Sequence, residues 1–383
     1  MTPAAGDGDA GGAGADLGER TDMKATCFFG DGDVRVEDLP EPTIAAPGDA
    51  LVRVTLASVC GSDLHYYWHG DEMGIPRGGR TGHEAVGVVV AVGASVRTLR
   101  EGDRVAVFPL PVDGGCDVCA RGAWPCSAGM GAFGYGAGFW PYGGEVQGCQ
   151  SEIIRVPFAD ATARRIPDDA AGPEKEHGAL AFVDNFATGW HAAATAGVGP
   201  GSVVMVIGDG GVGMGAVHAA SALDAAAVLC VGHHADRLRV AESLGATEVM
   251  ATRDDDEVVP RVMELTGGAG VHAVLQTVFN SESMRLSQRC VRSAGTISCV
   301  GMEQLAGGAA EVDWVDQFMR NVTITGGIVP GPGYLAGLLD RLADGRIDPG
   351  AMFTHTLPLD EAPTAYALMA DRAEGVVKVA LRP

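Results

Sequence analysis

A regular alternation of strands and helices in the C-terminal half is the feature that most constrains the fold of this chain. From residue 201 onward, short Val-rich runs such as VVMVI, AVLCV and VHAVLQ are separated by helical segments such as ADRLRVAESLG and SESMRLSQRCVR. Strands that are each followed by a helix form parallel sheets with helices on both faces. The pattern therefore predicts an α/β fold with a doubly wound parallel sheet.

A glycine-rich loop follows the first of these strands. VVMVI runs directly into the loop GDGGVG, and an apolar helical segment comes next. Glycines at this spacing allow a tight turn, a close approach of the backbone to a pyrophosphate, and close packing of a helix whose N-terminus holds the phosphates. Because the motif lies between a strand and a helix, it predicts a dinucleotide site, the alternative being a glycine-rich turn without a ligand. The residues expected to bind are Gly208, Gly210, Gly211, Val212 and Gly213.

The end of the second strand bears on the choice of dinucleotide. NAD-binding proteins usually place Asp or Glu there, where the carboxylate binds the ribose hydroxyls. Here AVLCV is followed by Gly232, His233 and His234, and Arg237 comes about one helical turn later. With neutral or cationic side chains and no carboxylate at the strand end, the sequence predicts a preference for NADP(H).

The N-terminal half carries a candidate zinc site on a β-rich body, since Val-rich runs separated by Gly, Pro and Asp predict strands. Catalytic zinc takes three protein ligands and keeps a fourth position open. Cys60 in CGSDLH and His83 in GHE suit the first two, and Asp184, within a predicted helix at residues 179–196, offers the third. The ordinary alternatives are a buried thiol, a hydrogen-bonded strand-end histidine and a helix cap.

Four motifs, in order along the chain, resemble those of the zinc-dependent medium-chain alcohol dehydrogenases. The motifs are CGSDLH from Cys60, GHE from Gly82, GDRV from Gly102, and Asp184-x-x-x-Thr188-Gly189. The resemblance extends from Met23 to Pro383, although many members have a second Cys where this chain has Asp184. It implies a GroES-like β-rich catalytic domain at residues 23–185 and 329–383, a Rossmann dinucleotide-binding domain at residues 186–328, and an active site between them.

The same resemblance assigns roles to individual residues. Cys60, His83 and Asp184 would hold the zinc, and Asp63 would orient His83. Glu84 would be an alternate ligand, and Lys378 would pair with it. Ser62 would pass the substrate proton toward the cofactor ribose, and His65 would then release it to solvent, a step that suits His because its ordinary pKa lies near neutrality. The implied reaction interconverts an alcohol and an aldehyde or ketone by hydride transfer with NADP(H), in a homodimer or homotetramer.

A second zinc site is suggested by the lobe of cysteines that many members of this family carry. The residues in question are Asp113, Cys116, Cys119 and Cys126. Asp replaces the first Cys of the usual set and the last spacing differs by one residue. Since carboxylates also ligate zinc, the lobe either holds a structural Cys₃Asp zinc or has degenerated to free thiols.

Composition narrows the partners and the compartment. The formal net charge of −22 argues against nucleic acid, because phosphates would be repelled over most of the surface. No apolar run reaches membrane-spanning length, so we expect a globular protein without a membrane partner. Nine cysteines, an odd number, do not suggest a disulfide framework and favour a reducing compartment, the cytoplasm. Residues 1–22 are rich in Gly, Ala and Asp and are predicted to be a disordered tail.

Two other functions remain open at this point. The first is a zinc-free reductase of the same fold that acts on activated double bonds, and the metal-ligand set speaks against it. The second is a binding protein that keeps the dinucleotide but has no turnover, and the presence of Ser62 and His65 speaks against that.

Overall fold

The computed structural model describes residues 22–122, 133–134, 147–252, 254–301 and 310–383. The strands are β1 (Asp22–Gly30), β2 (Asp33–Pro40), β3 (Ala50–Val59), β4 (Ala85–Val92), β5 (Arg104–Val107), β6 (Ile153–Val156), β7 (Ala163–Arg165), β8 (Val203–Ile207), β9 (Ala227–Gly232), β10 (Glu248–Ala251), β11 (Val271–Gln276), β12 (Val291–Cys299), β13 (Thr323–Gly326), β14 (His355–Pro358) and β15 (Val379–Arg382). The helices are α1 (Asp63–His69), α2 (Asp117–Ala120), α3 (Ala159–Thr162), α4 (Glu176–Ala181), α5 (Asn185–Thr195), α6 (Gly211–Ala222), α7 (Ala235–Ser243), α8 (Asp255–Leu265), α9 (Ser281–Cys290), α10 (Trp314–Arg320), α11 (Gly331–Ala343) and α12 (Ala362–Ala370).

The N-terminal half and the C-terminal end of the chain share one seven-stranded sheet. Its order is β14–β15–β3–β4–β5–β7, with β6 also paired to β3, and β1 and β2 form a separate antiparallel pair. The last strand, β15, pairs antiparallel with β3, so the end of the chain returns to the strand that leads to Cys60. This β-rich body confirms the predicted GroES-like part of the fold.

The second sheet has six parallel strands in the order β10–β9–β8–β11–β12–β13. Sequence order and spatial order therefore diverge beside β8, where the chain turns from one half of the sheet to the other. In open α/β sheets, ligands bind at the carboxyl ends of the strands at such a switch point. The predicted doubly wound Rossmann sheet is confirmed, and its crevice lies where β8 runs into the glycine loop.

Two segments differ from the sequence-based expectation. The single helix predicted at residues 179–196 is interrupted, because α4 ends at Ala181 and α5 begins at Asn185. Asp184 lies in the break with φ −139° and ψ −76°, outside helical values. The backbone leaves the helix where this side chain turns toward a group of polar residues. The strand β1 was not predicted, and it begins at Asp22, whereas residues 1–21 lie outside the described residues.

Close packing of α5 on α6 fixes the position of Asp184 relative to the glycine loop. A Cβ at Gly189 would lie 2.2 Å from the backbone N of Ala216, and one at Gly215 would lie 2.6 Å from the carbonyl oxygen of Asn185. Only glycine fits at such distances. The helix that follows Asp184 is therefore held directly against the helix that follows the glycine loop.

None of the helices in the described ranges combines the length and the apolar character needed to cross a bilayer.

Candidate metal centre and cofactor cleft

Three potential zinc ligands from distant parts of the chain meet at the inner end of a cleft. Asp184 Oδ2 lies 3.5 Å from Cys60 Sγ and 3.3 Å from His83 Nε2. Ligand atoms at tetrahedral zinc distances of about 2.0–2.3 Å are separated from one another by roughly 3.3–3.8 Å. A thiol, an imidazole and a carboxylate are also the donor types that zinc prefers. The residues present therefore fit a zinc ion.

The alternative role of Asp184 as a helix cap finds no support in its contacts. Asp184 occupies the N-cap position of α5, but its side chain makes no capping hydrogen bond to the backbone. Instead, Oδ1 accepts a hydrogen bond from the Thr188 hydroxyl at 3.0 Å, which leaves Oδ2 directed at Cys60 and His83. The spacing of Asp184 and Thr188 thus sets the orientation of the carboxylate.

Asp63 holds both of the other candidate ligands. One carboxylate oxygen, Oδ1, lies 2.9 Å from His83 Nδ1, and the other accepts a hydrogen bond from the backbone N–H of Cys60 at 2.9 Å. A carboxylate beside Nδ1 favours the tautomer that carries its proton there, which leaves the Nε2 lone pair available for a metal. Asp63 and His83 are both buried, so water does not compete for these contacts.

Glu84 forms a fully buried ion pair with Lys378. The Lys378 Nζ lies 2.6 Å from Glu84 Oε2, as the resemblance implied, so that pairing is confirmed. Ser58 Oγ donates to the same oxygen, and Asn185 Nδ2 donates to Oε1 at 2.9 Å. Glu84 lies within 4.8 Å of the three candidate ligands, yet both of its oxygens already have donors.

The charges around the metal site perturb one another. Burial, together with the carboxylates of Glu84 and Asp184, raises the pKa of the Cys60 thiol. Burial also raises the pKa of Glu84 despite the opposing effect of Lys378. For Asp184, burial is outweighed by His83 and Lys378, and its pKa lies below the usual range. A divalent cation would offset the negative charge that holds the thiol protonated, so zinc binding and thiol deprotonation are coupled.

Asn185 was missed by the sequence analysis although it directly follows Asp184. Its Nδ2 lies 3.4 Å from Cys60 Sγ, 2.9 Å from Glu84 Oε1 and 3.3 Å from Asp184 Oδ2. An amide in this position supplies donors to three groups that carry or develop negative charge. Its place at the start of α5, next to a candidate ligand, was the available signal.

The predicted relay residues line the same cleft. Ser62 Oγ lies 3.4 Å from His83 Nε2, at the edge of the ligand group, and Ser62 is partly exposed. His65 lies on α1, one turn further, and is also partly exposed. Both side chains border the cleft that contains the ligand group.

One cleft of about 940 Å³ extends from the ligand group to the end of β9. Its walls include all three candidate zinc ligands and the predicted dinucleotide-binding residues, which are Gly208, Gly210, Gly211, Val212, Gly213, Gly232, His233, His234 and Arg237. Gly208 has φ +116°, and a Cβ at Gly213 would lie 2.0 Å from the Gly208 carbonyl oxygen. The glycines therefore provide the tight turn and close helix packing expected of a pyrophosphate-binding loop.

A carboxylate does reach the end of β9, from a place that the sequence analysis did not consider. Asp209, inside the glycine loop, accepts hydrogen bonds from the backbone N–H groups of His233 and His234 at 2.7 and 2.8 Å, and its Oδ2 lies 3.0 Å from His234 Nδ1. Its other oxygen is 4.0 Å from the Arg237 guanidinium. Burial opposes ionisation, but these donors hold the pKa of Asp209 below its usual range. The expectation of a strand end without a carboxylate is therefore wrong.

Three of the four residues of the predicted cysteine lobe lie together. Asp113, Cys116 and Cys119 have ligand atoms within 4.8 Å of one another, and Asp113 Oδ1 lies 3.4 Å from Cys119 Sγ. The N–H groups of Cys116 and Gly115 outweigh partial burial and lower the pKa of Asp113, which keeps a carboxylate available. Cys126 lies outside the described residues.

Comparisons with known proteins match both parts of the chain. Residues 46–168 match the family model of the alcohol dehydrogenase GroES-like domain, and residues 211–344 match that of the zinc-binding dehydrogenases. A probable zinc-binding alcohol dehydrogenase of Mycobacterium tuberculosis is 34% identical, with 94% of this chain and 89% of the relative covered. An NADP-dependent isopropanol dehydrogenase of Thermoanaerobacter brockii is 30% identical, with 88% of this chain and 94% of the relative covered.

Solved structures agree with the sequence relatives. The alcohol dehydrogenase of Thermus sp. ATN1 superimposes with a TM-score of 0.84 at 34% identity and covers 94% of this chain and 99% of its own. Fold, motifs and relatives point to the same conclusion. The chain is an alcohol oxidoreductase and belongs to the zinc-dependent medium-chain alcohol dehydrogenase family.

Proposed function

We propose that this protein interconverts an alcohol and the corresponding aldehyde or ketone by hydride transfer with NADP(H), using a zinc ion held by Cys60, His83 and Asp184. The observation that carries the proposal is the single cleft that joins this ligand group to the glycine loop. The N-terminus of α6 would hold the pyrophosphate of a dinucleotide, and the cleft would leave room for the rest of the cofactor toward the ligands. When bound, zinc supplies Lewis acidity to the substrate oxygen, and the nicotinamide accepts or supplies the hydride.

The protein's own residues divide the remaining tasks. Cys60, His83 and Asp184 would fix the position of the ion. Ser62, at the edge of this group, would accept the hydroxyl proton of an alcohol substrate while its own hydroxyl proton passes toward the cofactor ribose. His65 on α1 would carry the proton from there to solvent, a task suited to an imidazole. Glu84 remains paired with Lys378 and serves as an alternate ligand only when that pairing is disturbed.

The proposal is tested with the full-length protein by measuring zinc per chain and the absorbance of the reduced nicotinamide. Turnover of members of a panel of alcohols and carbonyl compounds, lost on chelation and restored by zinc, is the expected result. Two zincs per chain would indicate an occupied lobe at Asp113, Cys116, Cys119 and Cys126, and one would indicate free thiols there. Zinc-independent reduction of activated double bonds would favour the reductase alternative, and dinucleotide binding without any turnover would favour a binding protein.

The preference for NADP(H) is supported by the charge at the end of β9. Arg237 is buried beside the cleft, and its Nε has no hydrogen-bond partner within the described part of the chain. His234 lies next to it, and Asp209 Oδ2 already accepts from two backbone N–H groups and lies 3.0 Å from the imidazole Nδ1 of His234. The guanidinium and the imidazole beside the strand end would attract a 2′-phosphate, and the Asp209 oxygen that holds these donors has little capacity left for a ribose hydroxyl.

Replacing Arg237 with Gln should raise KM for NADP(H) by about 10- to 100-fold, as expected for one lost charge-assisted hydrogen bond. KM for NAD(H) should change by less than about threefold, because that cofactor has no 2′-phosphate for the guanidinium to bind. Steady-state kinetics with both cofactors measure the two effects. Arg239→Gln, an exposed position on the same helix, is the matched control. A wild-type preference for NAD(H) would contradict the proposal and assign Asp209 to the ribose.

The domain division, the compartment and the assembly are proposed on further observations. All six strands of the parallel sheet lie between residues 203 and 326, whereas β14 and β15 belong to the first sheet. This division supports one domain at residues 23–185 and 329–383 and a second at residues 186–328.

No described cysteine is in a disulfide, which supports a cytoplasmic location. Val315, Phe318 and Met319 on α10, the helix that precedes the edge strand β13 in the chain, are 69–72% exposed. An apolar, uncharged face of this kind suits a second copy of the chain in a homodimer or homotetramer.

A further inference from the structure

Gln150 makes four side-chain hydrogen bonds in a fully buried position behind the ligand group. Its Nε2 donates to the carbonyl oxygen of Ser58 at 3.0 Å and to Asp63 Oδ2 at 3.3 Å. Its Oε1 accepts from the Thr81 hydroxyl at 2.7 Å and from the Tyr366 hydroxyl at 2.9 Å. An amide offers two donors and two acceptor positions, so every capacity of this side chain is used.

These partners permit only one orientation of the amide. If the group were flipped, its oxygen would face a carbonyl oxygen and a carboxylate, and neither can donate. Burial raises the pKa of Tyr366 well above its usual value, so its hydroxyl keeps the proton that it donates to Oε1. Leaving buried polar groups unpaired is costly, so the network holds Gln150 in a single arrangement.

Three of the four partners belong to the two segments that carry Cys60 and His83, and the fourth, Tyr366, lies on α12. Ser58 precedes Cys60 by two residues at the end of β3, and Thr81 precedes His83 by two residues. Asp63 contacts both ligands, through the backbone N–H of Cys60 and through His83 Nδ1. One amide therefore connects the two ligand-bearing segments and the carboxylate that lies between them.

The backbone around Gln150 reinforces this connection. Its N–H donates to the Thr81 carbonyl at 3.0 Å, and the N–H of Cys149 donates to the Gly82 carbonyl at 2.8 Å. Gly82 has φ +82°, and a Cβ there would lie 2.4 Å from Gln150 Cγ. The glycine before His83 thus lets the backbone approach the Gln150 side chain closely.

We propose that Gln150 is a positioning residue for the zinc ligands Cys60 and His83 and acts on them through Asp63. The inference rests on the proposed zinc site. Gln150 contacts neither the candidate ligands' metal-binding atoms nor the cleft. Its effect is to fix the Asp63 carboxylate so that Oδ2 keeps its hydrogen bond from the Cys60 backbone N–H and Oδ1 keeps its contact with His83 Nδ1.

The test compares zinc affinity among variants of the full-length zinc-loaded protein by competition with a chelator. Gln150→Glu keeps the shape but replaces two donors with a carboxylate that faces Asp63, and zinc affinity should fall by roughly tenfold or more. Gln150→Met removes the donors without adding charge, so its zinc affinity should fall by a smaller factor. If Gln150→Glu does not fold, the zinc affinity of Gln150→Met decides the question. Tyr366→Phe keeps both Nε2 donors and should stay within about threefold of the wild type. The absorption spectrum of the cobalt-substituted protein should shift in the two Gln150 variants because the ligand geometry changes.

Two controls separate the possible failures. Gln288→Glu alters a glutamine that bridges Met284, Glu311 and Asp313 far from the site, and should leave zinc affinity unchanged. His83→Ala should abolish tight binding at this site; if it does not, the proposed zinc site itself is wrong. If His83→Ala loses zinc but both Gln150 variants keep wild-type affinity and cobalt spectrum, with only the melting temperature lowered, Gln150 is merely structural and the inference is overturned.

Discussion

Replacing Asp184 with Asn should empty the catalytic zinc site and lower kcat by about 10³-fold, which corresponds to ~4 kcal/mol of transition-state stabilisation. The amide has the shape of the carboxylate but carries no negative charge, and it cannot replace the anionic oxygen that lies 3.5 Å from Cys60 Sγ and 3.3 Å from His83 Nε2. Zinc per chain should fall by one, measured by metal analysis alongside the steady-state rate.

A Cys at position 184 provides the matching test of the donor chemistry. Many members of the family have Cys there, so Asp184→Cys should retain zinc and more activity than Asp184→Asn. Asp169→Asn, at an exposed position outside the cleft, controls for the general loss of a carboxylate. If Asp184→Asn keeps both its zinc and its turnover, the ion must be held by Cys60, His83 and Glu84 instead, and Asp184 is only a hydrogen-bond partner of Thr188 and Asn185.

The parts of the molecule that were predictable from sequence are those in which neighbouring residues in the chain also act together in the folded structure. The strand VVMVI, the loop GDGGVG and the helix after it follow one another without interruption, so hydrophobic pattern and glycine spacing sufficed to predict this strand, turn and helix. Likewise, Cys60 and His83 lie at the ends of segments whose motifs are local. For these residues, the identity of the side chain already indicates its chemistry.

Other features depend on contacts that no local pattern contains. Residues 179–196 have the composition of one helix, and the break at Asp184 becomes clear only once the carboxylate is seen to face residues from two other segments. Asp209 reaches a strand end 24 residues away, and Gln150 connects residues that precede it by 92 and 69 positions. Side chains that act across such separations look ordinary in sequence, since an Asp in a loop or a Gln before a strand is common at surfaces.

Replacing Lys378 with Met should destabilise the protein by about 3–5 kcal/mol, because it leaves Glu84 as a buried carboxylate without its counter-ion. Lys378 and Glu84 are each 1% exposed in their side chains, and their charged atoms lie 2.6 Å apart. Ser58 and Asn185 still donate to Glu84 in the variant, but neither carries a positive charge. Denaturant unfolding of the protein kept metal-free by a chelator measures the loss without compensation from zinc.

The pH dependence and a double variant identify the unpaired charge as the cause. The folded-state pKa of Glu84 is already raised above its ordinary value by burial, and removal of Lys378 raises it further. A folded state that binds the proton more tightly than the unfolded state loses stability as pH rises through the folded pKa, and the penalty vanishes below about pH 4.5, where Glu84 is protonated in both states. Lys378→Met should therefore differ least from the wild type in acid and most above neutrality. Adding Glu84→Gln removes the charge and should recover much of the stability. A double variant no more stable than Lys378→Met would instead assign the loss to the missing lysine side chain, whose Nζ lies 5.6 Å from the centroid of the Phe353 ring.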